Sequence, residues 1–234
     1  SRLLVYATCA CAAPQVQAFC KAPSIGAFAG AEHSLWKEWN ASGQRLVREQ
    51  GYLLRSGLQL SGQCPNLDWQ IQWSQSQGDR NYDGLTNRYS ALHTHSDIRA
   101  QGLGAQLWLP VTSTWALGAE VNWRQIQRDI SDTTEVLGFG ERFRYAQAGL
   151  GVRYQTPLTS DLRLLGSLMA GGGSGGSNRV TLPGFASQKL PLGNQRYATL
   201  GLELSGGQLP TQSGLSWKLA LQYRLEENQA GEVR

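Results

Sequence analysis

The stretch Ala91–Asp97, ALHTHSD, sets His93 and His95 two residues apart with Asp97 next in step. On an extended chain alternate residues share a face, so these three side chains could act together. Two imidazoles and a carboxylate are metal ligands by type. An imidazole oriented by a carboxylate is equally a general base. Asp79 and Asp83 precede the pair, and Asp129 and Asp132 follow it. A lone His-x-His step with no ligand beyond Asp97 reads more plainly as a polar junction between a loop and a strand, so no metal is expected. Two serines adjoin histidines, Ser34 beside His33 and Ser96 beside His95. Neighbours in a strand point to opposite faces, which argues against either pair as nucleophile and base.

Strands must position such residues. In GLSWKLALQYRL, Leu215, Trp217, Leu219, Leu221, Tyr223 and Leu225 alternate with Ser216, Lys218, Ala220, Gln222 and Arg224. That is period two, with one oily and one polar face. Segments of this kind recur, and no helical period is sustained. Roughly nine strand cores follow: Ile25–Trp36, Gly51–Gly62, Leu67–Ser76, Asp97–Leu109, Trp115–Gln127, Arg142–Gln155, Asp161–Ala170, Arg196–Gln208 and Leu215–Glu226. Short connections (GQCPN, PVTST, TPLTS, LPTQSG) alternate with long polar ones (KEWNASGQRLVREQ, QGDRNYDGLTNRYSALHTHS, RDISDTTEVLGFGE, GGGSGGSNRVTLPGFASQKLPLGNQ). Short turns at one end and long loops at the other are the layout of an outer-membrane barrel.

Composition agrees. Of 234 residues 16% are charged and 28 are glycine, with 21 basic residues against 17 acidic. The basic residues are scattered, with no Lys/Arg run to suit a nucleic acid. The mean hydropathy is −0.35, and no apolar run is long enough for a helical span. Barrel strands hide their lipid face in alternate residues, so that absence excludes nothing. AGGGSGG lacks the lysine and the strand-to-helix setting of a phosphate loop, and no cofactor is expected.

Aromatic placement decides which face meets what. Trp115 and Trp123 lie in one series, about 26 Å apart along a strand and about 20 Å along a membrane normal at ~40° tilt. Trp217 and Tyr223 bracket the last strand's leucines in the same way. Rings at both edges of an apolar band suit two lipid–water interfaces, so the oily series is expected to face lipid. The opposite series then lines a lumen, with Arg55, Arg99, Arg124, Arg153, Arg163, Lys218 and Arg224 against Glu32, Asp68, Glu120, Glu203 and Glu226. A barrel of eight to ten strands is barely wide enough for its own side chains. The plainer reading is an ion-pair network that closes the lumen, and the sharper one is a narrow anion-preferring channel.

The start, SRLLVYATCACAAPQVQAFC, reads as the remainder of a secretory signal, with Val16-Gln17-Ala18 as a small-residue cleavage site. Residues 1–18 are therefore set apart from a barrel domain at 19–234. Cys20 precedes the first strand core and Cys64 follows the second, so antiparallel pairing predicts a disulfide between them in an oxidising compartment.

From about Ser24 to Glu226 the chain resembles small bacterial outer-membrane β-barrel proteins as an architectural class. The resemblance implies a Gram-negative outer membrane, surrounding lipid and lipopolysaccharide, and insertion by the general barrel-assembly machinery. Such barrels have even strand counts, so either a tenth strand after the last has been lost with a clipped C-terminus, the favoured reading, or the count misses one. Acidic residues and histidine at the rim (Asp79, Asp83, His93, His95, Asp97) are similar in type and location to the omptin surface proteases. In that family paired aspartates and an Asp–His pair activate a water; no role carries over to a particular residue here. The reading is an all-β, single antiparallel up-and-down transmembrane barrel of about ten strands. It is structural or surface-interacting, with long outer loops and an extracellular ligand that the sequence does not name. A rim hydrolase and a small channel are the alternatives.

Overall fold

Alternation builds an all-antiparallel structure of eleven strands with no helix among the described residues. The computed structural model describes residues 2–12, 20–39, 42–85, 91–134, 136–207 and 216–230. The strands are β1 (Arg2–Ala12), β2 (Ser24–Trp39), β3 (Arg45–Cys64), β4 (Leu67–Leu85), β5 (Ala91–Pro110), β6 (Trp115–Ile130), β7 (Phe139–Pro157), β8 (Leu162–Gly173), β9 (Ser177–Thr181), β10 (Gln188–Gly206) and β11 (Ser216–Ala230). Consecutive strands pair from β1 to β8, β8 pairs with β10, and β10 with β11. β11 also pairs with β1, so the series of ten long strands returns to its start. The short β9 continues the sheet beyond the end of β8, between β7 and β10.

The nine expected strands are β2–β8, β10 and β11. The tenth place is taken by Arg2–Ala12, which pairs with Ser34–Ser24 on one side and with β11 on the other. The count of nine misses this strand, where one after the last was expected. The physical reason is that a short apolar, alanine-rich run is ambiguous between a leader core and a strand. Val16-Gln17-Ala18 lies outside the described residues, as does the LPTQSG turn.

Tight connections at 65–66, 111–114 and 158–161 mark one end, the turn end. Of the four long loops expected at the other, far end, three are mostly strand among the described residues. β4 and β5 pair as far as Leu85 and Ala91, and β6 and β7 as far as Ile130 and Phe139. These extensions carry polar residues on both faces, so the oily–polar contrast that reveals a strand fades there although the backbone pattern continues. Beyond β8, residues 174–187 carry β9.

Polarity is inverted relative to a water-soluble barrel. Leu54, Leu58, Leu103, Leu107, Leu150, Leu200 and Leu202 are exposed on the outside, whereas Glu32, Glu49, Arg80 and Arg128 are buried inside. Trp115, Trp123, Trp217 and Tyr223 all lie on the exposed face. Inside, Leu53, Ile98, Ile126, Phe143 and Tyr145 pack together toward the far end. Trp108, Ala116, Met169 and Tyr197 pack toward the turn end. Interior glycines make room for these rings: a Cβ on Gly149 would fall on the Tyr197 hydroxyl, and one on Gly118 on the Trp108 indole.

At the turn end, Cys20 and Cys64 form the expected disulfide, with Cα atoms 4.0 Å apart. β2 and β3 are in register from Ser24 opposite Ser61, and Lys21 donates its backbone N–H to Gln63 at 2.7 Å. Antiparallel pairing therefore brings the flanking cysteines together.

Candidate functional site

Two groups of side chains could do chemistry, one in the lumen and one on the outer face near the far rim. In the lumen, pairing follows the strand parity. Arg153 binds Asp68, Arg124 binds Glu226 at 2.8 Å, and Arg224 reaches the same carboxylate at 3.2 Å. Lys218 lies 3.2 Å from Glu203 and Arg55 4.0 Å from Glu32, while Glu120 accepts from Gln106 at 2.9 Å. Aromatic faces take part too: Arg153 stands 5.0 Å from the Trp108 ring centroid and Arg224 4.1 Å from that of Tyr197. A cavity of about 210 Å³ lies among these groups.

Ten of the twelve expected luminal charges are therefore inside: Arg55, Arg124, Arg153, Lys218 and Arg224 with Glu32, Asp68, Glu120, Glu203 and Glu226. Arg99 is not. It shares its strand series with Leu103, Leu107 and Leu109, and it is exposed on the outer face. Arg163 keeps the luminal parity, opposite Ser205, but is exposed at the mouth near the 158–161 turn. Without these two, the named basic and acidic residues of the lumen balance at five each. The basic excess that favoured an anion channel shrinks to Arg163 at the mouth.

Sequence reasoning missed the tightest part of the interior. Toward the far end, Arg128 on β6 donates to Glu141 at 2.7 Å, to Glu38 at 2.9 Å and to Glu49 at 3.4 Å. Arg80 on β4 donates to Ser34 at 2.7 Å and to Glu49 at 3.4 Å. Asn178 on β9 donates to Glu141 at 2.9 Å. Burial alone would weaken proton binding by the Arg128 guanidinium. The carboxylates of Glu141, Glu49 and Glu38 more than reverse this and hold it charged. Trp36 and Phe143 lie 5.4 and 5.8 Å from the same guanidinium. Ion pairs and rings together occupy the bore above the cavity.

The rim residues lie on strands, not at a loop tip, and they point outward. His93, His95, Asp97 and Asp79 are exposed. Asp83 and His93 meet, with Asp83 Oδ1 2.7 Å from His93 Nδ1. Asp79 lies opposite Asp97, and Asp97 opposite Asp129. A hydrogen bond with Asp97 raises the pKa of Asp79; slight desolvation and the charge of Asp97 act in the same sense, and His95 opposes them. His95 pairs across the strands with Asn81, so the expected His95–Asp97 couple is replaced by Asp83–His93 and Asp79–Asp97. Among the described residues no cluster of three or more His, Cys, Asp or Glu side chains has the arrangement of a metal site.

No protein-family model and no curated protein matches this sequence. The transport unit of the autotransporter AIDA-I from Escherichia coli aligns at 7% identity and a TM-score of 0.21, over 99% of this chain and 90% of that one. OccK1 (OpdK) from Pseudomonas aeruginosa aligns at 9% identity and a TM-score of 0.18, over 97% and 98%. Scores this low carry no weight, and the fold rests on the strand pairings.

Proposed function

We propose that this chain is an integral barrel of a Gram-negative outer membrane, not an enzyme, and that its lumen is closed. Insertion by the barrel-assembly machinery and a surround of lipid and lipopolysaccharide go with that reading. The observation that carries it is the inverted polarity of the barrel, with leucines outside and a buried Arg–Glu network within. Water has no reason to select an exposed band of leucine and tryptophan, whereas a bilayer does. The network around Arg128, packed with Trp36 and Phe143, supports a closed bore over a narrow channel. Far-end strands with polar outer faces then stand beyond the membrane surface as a rigid platform.

Planar-bilayer recording of the refolded barrel tests the closed state. The expected trace stays at the leak level at moderate voltage. Steady unitary steps would favour the channel, and a reversal potential in a salt gradient would report its ion preference.

One observation favours a rim hydrolase, the Asp83–His93 contact. Both groups are exposed on the outer face, His93 being 74% and Asp83 45% open. Among the described residues no cleft encloses them, so the non-enzymatic reading fits better.

A further inference from the structure

We infer that the outer face of β7, β9 and β10 binds the phosphates of anionic lipid headgroups through Arg142, Arg179 and Lys189. The inference rests on the membrane reading above and names a partner for one face of the barrel.

The argument begins with register. Trp73, Leu103, Trp123 and Ala146 form one cross-strand row on the outside. From β4 to β7 this row is the upper border of the apolar band, while on β3 the exposed Leu54, opposite Gln77, carries it two steps farther. One step farther from the turn end are Gln75, Gln101, Gln125 and Arg144. A second step brings Gln77, Arg99, Gln127, Arg142, Arg179 and Lys189. Each two-residue step is about 6.7 Å along a strand, or about 5 Å along the normal at ~40° tilt. The basic row therefore lies about 10 Å above the aromatic border, and headgroups occupy about 5–8 Å of each leaflet. Long basic side chains reach back over that difference.

The second observation is like-charge opposition. Arg142 stands directly opposite Arg179, and Arg179 opposite Lys189. Direct cross-strand neighbours have Cβ atoms about 4.5–5.5 Å apart, and like charges there are destabilising. Among the described residues none of the three is in an ion pair. β9 is the element that creates this crowding, because it inserts Arg179 between the other two. Cations held in register without an ion-paired acid are what an anion with several oxygens relieves.

The surroundings suit a phosphate. The next row outward holds Gly140 and Thr181, and the Thr181 and Ser187 hydroxyls lie 3.0 Å apart. A groove of about 820 Å³ borders Arg142, Arg179, Thr181 and Ser187. Asp97, Asp129 and Asp132 line its opposite bank, so an anion is drawn to the β7–β10 side.

The test counts bound lipid. Refolded barrel is reconstituted in phosphatidylcholine vesicles with and without phosphatidylglycerol, then extracted gently for native mass spectrometry. A triple variant, Arg142→Gln, Arg179→Gln and Lys189→Gln, is compared with a control at the same end, Arg45→Gln and Arg48→Gln. A basic residue near an anionic surface contributes roughly fivefold in affinity, so the triple variant should bind phosphatidylglycerol about 100-fold more weakly. The control should bind like the parent. Relief of repulsion should leave the triple variant at least as resistant to urea in neutral vesicles, so lost binding is not lost folding. Equal phosphatidylglycerol binding by parent and triple variant overturns the inference while insertion into neutral vesicles upholds the membrane reading. Failure of the parent to insert into vesicles of any composition overturns both.

Discussion

Arg128 on β6 spans the bore to Glu49 on β3, a contact of 3.4 Å between residues 79 positions apart in sequence. Glu49 also receives Arg80, so one fully buried carboxylate joins β3 to β4 and β6. Replacing Arg128 by Ala leaves Glu49, Glu38 and Glu141 short of their common cation. Breaking a buried pair from one side costs about 3–5 kcal/mol. Urea unfolding in lipid vesicles should show a loss of that order. Recording of the same variant should show brief openings absent from the parent, because a long side chain has left the bore.

Leu219 and Ala220 are neighbours with opposite surroundings. Leu219 is 50% exposed on the outer face, and Ala220 is 5% exposed on the inner one, across from Glu203. Leu219→Arg puts a charge on the lipid face, at about 2–4 kcal/mol near mid-membrane. Ala220→Arg gains a nearby carboxylate and should cost less. Folding titrations in vesicles give the order, and a greater loss at 220 would mean a barrel built for water.

Cys20 and Cys64 close a segment with a sequence separation of 44. The chain-entropy model gives about 4 kcal/mol for a loop of that size. Peptide mapping without reductant should recover the linked pair, and Cys20→Ser with Cys64→Ser should lower the unfolding midpoint under oxidising conditions. Under reducing conditions the parent should fall to the level of the double variant.

Asp79 offers a pH test on the outer face, beyond the membrane in the proposed reading. Its pKa is raised, first by the hydrogen bond with Asp97. The folded chain then holds that proton more tightly than the unfolded one. Stability should grow as pH falls through the raised value and reach its full gain below the ordinary carboxylate range. Asp79→Asn should remove this part of the dependence. A comparison of urea midpoints at pH 7 and about pH 4 would show it, and an unchanged dependence in the variant would assign it to other groups.

What was legible in the sequence follows the contrast between faces. In β11 Trp217, Leu219, Leu221 and Tyr223 alternate with polar residues, and their outward placement could be read directly. The Cys20–Cys64 link followed from hairpin geometry alone. Arg99 has the charge of a luminal residue but the parity of Leu103, and parity decides its place outside. Glu49, Arg80 and Arg128 lie in or next to stretches polar on both faces, which read as loops. Parity still held the clue for Arg128, in step with the luminal Glu120 and Arg124. That Arg128 meets Glu49 and Glu141 depends on barrel closure, which no local pattern contains.

The Asp83–His93 contact gives the hydrolase alternative its sharpest test. The pair lies 2.7 Å apart, a distance at which a carboxylate orients an imidazole as a base. Against this, Asp79 and Asp97 each lie four residues farther along the same strands, about 13 Å from the pair. All four groups also face outward. Refolded barrel would be offered fluorogenic peptides and ester lipids, beside His93→Ala and Asp83→Asn. Loss of a general base typically lowers a rate about 10²–10⁴-fold. Turnover by the parent that falls by this amount in both variants, with heat-modifiable migration on gels unchanged, would overturn the non-enzymatic reading. Turnover that survives both changes would belong to a contaminant or to another site. The expected result is none in any of the three, because an exposed pair on an open sheet face leaves water and substrate without a common position.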